Sequence, residues 1–305
     1  MILTVCLNPT LQRSLFFNSL KIGEVNRANQ QLLCASGKGV NVTRVLTQLG
    51  VPAVHLTHVS GIQKRLFINL CRKDNILLSW IPGCSEIRTC TTAVNYGDST
   101  ATELIEAADP VGKNTERLIL QRYRRLIKKS TAVVISGTKT PGYSDTLYPE
   151  MVKLANALHV PAILDIKGED LKRSLPHGPA WVKPNLAEFI ETFQIGQIQS
   201  EHKIDDETLK LAIRKAQTFA KKHSTSFILT RGAMGVEVIT SEFHFHMDAL
   251  QIAAVNTIGC GDAFAAGFAA DLPSRNNAEQ IRKAVVFAQE CAAKNAMTKK
   301  PGSLY

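Results

Sequence analysis

No C-x-x-C pair occurs in the chain, and its seven cysteines (Cys6, Cys34, Cys71, Cys84, Cys90, Cys260, Cys291) are odd in number and scattered. That argues against a disulfide frame or a zinc site and for reduced thiols in a cytoplasm. No apolar run approaches the roughly 18 residues that a bilayer span needs. The opening "MILTVCLNPT" lacks a basic stretch ahead of a long apolar one, so neither a signal peptide nor a membrane partner is expected. Internal repeats and low-complexity linkers are missing as well. What is present is 45% hydrophobic and 20% charged residues over 305 positions. That suffices for one large α/β domain, or two small ones, with a real core.

Acidic residues are in deficit, 26 against 36 Lys and Arg, a formal net charge of +10. The basic residues are dispersed, as in "RYRRLIKK" (122–129) and "KKH" (221–223), where apolar spacing is helical. They read as solvated helix faces, and with no recognition motif beside them no nucleic-acid partner is expected.

Short apolar runs alternate with amphipathic stretches. "ILTVCL" (2–7) precedes a helical pattern over 37–50, and "AVHLTHV" (53–59) precedes another over 62–74. "AVVISG" (132–137), "PAILDI" (161–166), "AWVKPN" (180–185) and "FILTRG" (227–232) continue the rhythm. Near-continuous apolar strands between helices predict a parallel sheet covered on both faces. Such sheets bind ligands beyond the carboxyl ends of their strands. Residues 12–35 and about 78–108 break the rhythm and read as extended segments, "IRTCTTAVNY" (87–96) most clearly. They predict a small second sheet over one end of the domain, or irregular surface loops.

One stretch asks for a chemical explanation. "NTIGCGDAFAAGFA" (256–269) puts a carboxylate, Asp262, behind two glycines and ahead of small apolar residues. A Gly-x-Gly-Asp turn opening a helix leaves backbone N–H groups pointing outward, and Gly259 and Gly261 let a phosphate approach them. Asp262 beside a phosphate makes sense if its partner is a hydroxyl that must lose a proton. Taken alone, it is equally a first-turn acid complementing the helix dipole.

Two further stretches bear on that choice. "SGKGVNVTRVLTQLG" (36–50) is a glycine loop opening a helix, but not a Walker A loop, because Gly39 and not Ser or Thr follows Lys38. Lys38 and Asn41 at such a helix start suit an anionic or polyhydroxyl ligand; a helix merely capped by Ser36 is the simpler alternative. In "KPNLAEF" (183–189), Asn185 and Glu188 lie three apart on one helix face. Oxygens so placed can order the water shell of Mg²⁺, yet N-x-x-E is also a common capping pattern. His244 and His246, alternating in "FHFH", read as strand-surface residues.

Together, "LNPTL" (7–11), "SGKGVN" (36–41), "KPNLAE" (183–188) and "NTIGCGDAFAAGF" (256–268) resemble the PfkB (ribokinase-like) sugar kinases, in order and over nearly the whole chain. The flavour is that of the 1-phosphofructokinase and tagatose-6-phosphate kinase branch. The resemblance implies a ribokinase-like three-layer α/β/α domain over residues 1–305, with a mostly parallel sheet and a small β-sheet lid through which many members dimerise. It implies ATP and Mg²⁺ as cofactors. Asp262 corresponds to the catalytic base, and Gly259, Cys260 and Gly261 to the anion hole. Asn185 and Glu188 correspond to the Mg²⁺-linked pair, Lys183 lies near the nucleotide phosphates, and Thr230, Gly232 and Gly235 follow the nucleotide. Gly37, Gly39 and Asn41 match sugar-contacting positions, while Lys38 and Arg88 match residues gripping a phosphate already on the substrate.

Departures from the pattern concentrate on the sugar side. Gln12 stands where the branch usually has Asp; "TELIEAAD" (102–109) keeps Glu103 but loses a turn; "SGTKTPG" (136–142) adds Lys139 near the expected phosphate; and "DIKG" (165–168) adds Lys167. Altered acceptor specificity, still for a phosphorylated sugar, accounts for this pattern. A kinase of a neutral sugar or nucleoside, and a weakly active or non-catalytic sugar- or nucleotide-binding relative, are the alternatives.

Overall fold

Apolar runs of four to six residues, buried from end to end, build the centre of the protein. The computed structural model describes residues 1–98, 100–196, 204–274 and 277–305. Along the chain, β1 (Ile2–Val5) is followed by the antiparallel pair β2 (Thr10–Phe17) and β3 (Gln30–Ser36), then α1 (Lys38–Gln48), β4 (Ala53–His58), α2 (Lys64–Lys73) and β5 (Leu78–Ile81). Next come β6 (Arg88–Asn95), β7 (Thr100–Ile105), α3 (Thr115–Ile127), β8 (Ala132–Ser136), α4 (Leu147–Ala157), β9 (Ala162–Asp165) and α5 (Gly168–Ser174). The remainder runs β10 (Trp181–Val182), α6 (Leu186–Phe193), α7 (Asp206–His223), β11 (Ser226–Thr230), β12 (Val236–Ile239), β13 (His244–Met247), α8 (Cys260–Ala270) and α9 (Ala278–Ala296).

The large sheet has the order β13-β12-β11-β10-β9-β8-β1-β4-β5. From β11 to β5 every pairing is parallel; β12 and β13 add an antiparallel edge. Alternation along each strand splits the core in two. Leu3, Val5, Val133, Ile135, Leu164 and Phe227 face α3, α4, α6 and α7. Ile2, Val134, Ile163, Trp181 and Ile228 face α1, α8 and α9. This is the ribokinase-like three-layer arrangement expected from the sequence. Among the described residues no helix is long and apolar enough to cross a membrane.

The segments that lacked helical rhythm form a four-stranded sheet, order β3-β2-β6-β7, with β2 and β6 parallel and the outer pairs antiparallel. Ser99, inside the second segment, lies outside the described residues. One boundary is corrected. Leu78–Ile81 pairs with β4 at the edge of the large sheet and belongs to the body. Three of its four residues are only half-buried, as suits a strand at the sheet's edge. A third apolar cluster, with Leu11, Ala35, Val40, Phe67 and Cys71, ties the small sheet to α1 and α2.

Candidate active site

Helix α8 is apolar almost all round and buried from Asp262 to Ala269, which is the pattern of a helix packed on every side. Its small residues permit the closeness: a Cβ at Gly267 would stand 2.9 Å from the Cα of Ala288 on α9. Phe268 meets Trp181 edge-on at 4.8 Å between ring centres. The helix starts at a left-handed Gly259 (φ 83°), a conformation that L side chains rarely adopt. Of the anion-hole candidates, Cys260 N–H already donates to Thr257 O at 3.3 Å. The amides of Gly261 and Asp262 are those that helix geometry leaves without an intrahelical acceptor. A Cβ at Gly261 would lie 3.6 Å from Lys183 Nζ, so a buried ammonium stands beside the same turn.

Asp262 is 6% exposed, and Asn41 Nδ2 donates to its Oδ2 at 2.8 Å. Burial pushes the carboxyl up to about 6; Lys38, Lys183 and the Asn41 hydrogen bond oppose the shift, and the Asp165 charge adds to it. Thus Asp262 is neither turned into packing nor spent on a cation. The Cys6 thiol, raised chiefly by burial, also feels the charges of Asp262 and Arg88.

Facing α8, at the carboxyl ends of β9 and β10 and the starts of α1 and α6, lies a cluster of alternating charge. Asp165 Oδ1 accepts from Lys38 Nζ at 3.4 Å and pairs with Lys183 Nζ at 3.4 Å, while Glu188 Oε1 stands 3.6 Å from Lys38 and 3.9 Å from Lys167. Burial would push the Asp165 carboxyl up, but Lys183 and Lys38 hold it below its ordinary value. Burial works against the Lys38 charge, and Asp165, Glu188 and Asp262 more than restore it. Lys38 therefore sits among carboxylates and is not a free cation.

Asn185 and Glu188 form a capping box: Asn185 Oδ1 accepts from Glu188 N–H at 2.6 Å, and Glu188 Oε2 accepts from Asn185 N–H at 3.1 Å. Glu188 Oε1 remains directed at the lysines, and Asp165 Oδ2 is buried without a hydrogen-bond partner. Among the described residues no group of three or more His, Cys, Asp or Glu forms a closed metal cage. One or two carboxylate oxygens are nonetheless the donor set of a hydrated Mg²⁺ that takes its other ligands from phosphates, so the residues present fit that ion.

The other expected site residues divide. Thr230 ends β11 next to Asn185, and Arg231 N–H closes the Gly232–Gly235 turn on Gly235 O at 2.8 Å, leaving that backbone at the sheet's ligand end. Gly37, not Ser36, is the N-cap of α1 and has no side-chain cap; Ser36 Oγ instead donates to Asn41 Oδ1 at 3.2 Å. Gly39 faces the protein interior, since a Cβ there would lie 2.7 Å from Cys6 Cβ and 2.8 Å from His55 Cε1. Its smallness answers a packing demand. Lys139 is engaged within the protein. Its ammonium is held by Asp170, the Ser144 carbonyl and the Tyr148 ring, so a substrate phosphate would have to compete with these partners for it. Gln12 is buried in β2, with Nε2 donating to Thr92 Oγ1 at 2.7 Å, and Glu103 is exposed on β7 opposite Thr92. Arg88, at the start of β6, donates weakly to Glu106 O at 3.4 Å, while its Nε is buried without a partner.

Sequence reasoning missed two contributors. Asp165 ends an apolar strand, and a single acid there carries no spacing signal. Arg44 looks like a solvated base on a helix, yet it is 1% exposed. His244 and His246 are not isolated either; both hydrogen-bond to buried Glu237, at 2.8 and 2.9 Å, together with Arg231.

A buried carboxylate at a glycine-opened helix start, facing lysines and two further carboxylates on a three-layer α/β fold, is an arrangement suited to phosphoryl transfer. The chain belongs to the pfkB family carbohydrate kinases, whose model matches residues 9–303. It is similar in structure to a possible 1-phosphofructokinase from Thermotoga maritima (TM-score 0.84, 23% identity, covering 100% of this chain and 93% of that one). It is similar to phosphofructokinase-2 from Escherichia coli in complex with fructose-6-phosphate (TM-score 0.79, 18% identity, 97% and 93% covered). A third likeness is to Arabidopsis thaliana ribokinase complexed with ribose and ATP (TM-score 0.73, 16% identity, 99% and 94% covered).

Proposed function

We propose that the chain is an ATP- and Mg²⁺-dependent kinase that transfers the γ-phosphoryl group to a hydroxymethyl of a sugar phosphate, of the fructose 1-phosphate or tagatose 6-phosphate type. The observation that carries this reading is Asp262: a buried carboxyl with a pKa of about 6, aimed by Asn41 at the mouth of the α8 turn. With Oδ2 taken by Asn41, Oδ1 accepts the proton of the attacking hydroxymethyl. The first-turn amides of α8 and the Lys183 ammonium stabilise negative charge on the group in transfer. Asp165 Oδ2 and Glu188 Oε1 would hold Mg²⁺ through water, and the bound ion would neutralise phosphate oxygens as a Lewis acid. The nucleotide lies along Thr230–Gly235, the turn that follows β11 beside Asn185.

A phosphorylated acceptor is favoured by Arg88, whose buried Nε lacks a partner at the small-sheet side of the site. A guanidinium in that position suits an incoming phosphate. Two copies pair through the small sheet, which acts as a lid; support comes from β7, an edge strand exposed at every residue and bearing Leu104 and Ile105.

The experiment is a panel of ketose and aldose phosphates and their unphosphorylated parents, read by coupled ADP release, with wild type and Arg88→Ala. A phosphorylated substrate whose KM rises at least ten-fold in the variant is expected. Turnover confined to neutral sugars, with KM unchanged by Arg88→Ala, points to the neutral-sugar kinase instead. Nucleotide binding without ADP formation across the panel ends the kinase reading.

A further inference from the structure

Asn41 reaches Asp262 from the other side of the cleft, and what holds Asn41 in place is Arg44, one turn further along α1. The Arg44 guanidinium is buried and surrounded by acceptors from four parts of the chain. Nε donates to Asp74 Oδ2 at 2.8 Å, at the end of α2. Nη1 donates to Asn41 Oδ1 at 2.9 Å, and to the carbonyls of Pro301 and Gly302 at 3.2 and 3.4 Å. Nη2 donates to the carbonyl of Ala35 on β3. Lys300 binds the second oxygen of Asp74, and Gly302 lies so tightly on Asn41 that no side chain fits between them.

This arrangement settles which way the Asn41 amide points. Its oxygen receives Arg44 Nη1 and Ser36 Oγ, both donors, so its NH₂ must face Asp262. We propose that Arg44 is a positioning residue for the base: its guanidinium locks the Asn41 side chain so that Nδ2 stays hydrogen-bonded to Asp262 Oδ2 and Oδ1 is left for the acceptor hydroxyl. The inference rests on Asp262 being the base of the proposed kinase. It extends that reading from the cleft to a residue buried behind it, and to the small sheet and the 299–305 segment that supply the other acceptors. Only a planar fork with five donors satisfies acceptors in so many directions; the point charge of a lysine does not.

Because the Asn41 hydrogen bond favours the ionised base, its loss raises the Asp262 pKa. The other groups facing Asp262 are Lys38 from α1, Asp165 at the end of β9, Lys183 after β10, Cys6 after β1 and Cys260 on its own helix. Around Arg44 they are Asp74, Lys300, Cys34 and Cys71. Arg44→Lys leaves every one of these charges unchanged, so it isolates the hydrogen-bond geometry.

The test uses the full chain labelled with ¹³C at Asp carboxyls, the Asp262 signal being identified by its loss in Asp262→Asn. In Arg44→Lys the Asp262 midpoint should rise by about one unit. The acid limb of kcat/KM should follow it, and kcat should fall about ten-fold to a hundred-fold. Folded Arg44→Lys with an unmoved Asp262 midpoint overturns the inference, whatever the activity. A midpoint that rises while the acid limb stays put supports the Arg44–Asn41–Asp262 link and instead removes Asp262 from the role of base. If the variant does not fold, the wild-type protein still decides. A locked Arg44 gives separate Nη1 and Nη2 resonances, and the Asn41 side-chain ¹⁵N shift titrates with Asp262. Averaged Nη signals, or an Asn41 shift flat through that midpoint, overturn the inference.

Discussion

Asp262 carries a carboxyl with a folded-state pKa of about 6, against an ordinary value of 3.8. Between those two pH values the folded protein holds a proton that the unfolded chain has released. Stability linked to this group is therefore fully present below pH 3.8 and is lost as the pH rises through 6. With the side chain buried, the difference amounts to about 3 kcal/mol above that window. Asp262→Asn should thus lower kcat by about 10² to 10⁴-fold and yet unfold at higher urea at pH 8. At pH 4 the two proteins should be nearly alike. Parallel denaturation curves at the two pH values check the sign, and a variant less stable at pH 8 would show that burial is not what raises the carboxyl. For the wild type, kcat/KM should fall ten-fold per pH unit below about 6, the slope expected of one essential base.

The glycines at element starts act by what they admit. Gly39→Ala would press a methyl group into Cys6 and His55, beneath the first turn of α1. Overpacking of that kind costs about 1–3 kcal/mol, and the helix that carries Asn41 and Arg44 would lift with it. A lower urea midpoint at unchanged m-value, with a loss of kcat larger than the loss of nucleotide affinity, is the expected outcome; an unchanged midpoint would contradict the packing role. At this scale the sequence was most informative. Short apolar runs, buried on both faces, located β1, β4, β8, β9, β10 and β11, and the glycine-opened patterns located α1 and α8. β5 reads with the small sheet, although "ILLSWI" (76–81) is an apolar run like the others, because no helix-like stretch follows it before β6. The site was legible wherever chemistry imposes spacing, as for Asp262 behind Gly259 and Gly261, or Asn185 before Glu188. It was illegible where the partner is distant in sequence. Lys139 and Lys38 look alike beside their glycines, and nothing local reveals that Asp170 holds one while Asp165 and Glu188 surround the other.

For the molecule as a whole, the small sheet is the part least committed to its own chain. Leu104 and Ile105 on β7 are 61% and 59% exposed, and Ile22 and Val25, between β2 and β3, are 98% and 81% exposed. Pairing of two copies through this surface should give a dimer in sedimentation at micromolar protein. Leu104→Glu combined with Ile105→Lys should yield a monomer of unchanged urea midpoint, whereas a double variant that stays dimeric places the contact elsewhere. The cluster of Leu11, Ala35, Val40, Phe67 and Cys71 joins that sheet to α1, so a movement of the sheet would be felt by the helix that carries Asn41.

The Asn41–Asp262 hydrogen bond joins residues 221 positions apart, and β1 lies between β4 and β8, a neighbour made early and one made much later. Contacts of such long range form late, after loop-closure entropy has been overcome. A refolding chain is therefore expected to regain the Asn41–Asp262 contact, and any activity that depends on it, later than its local helices.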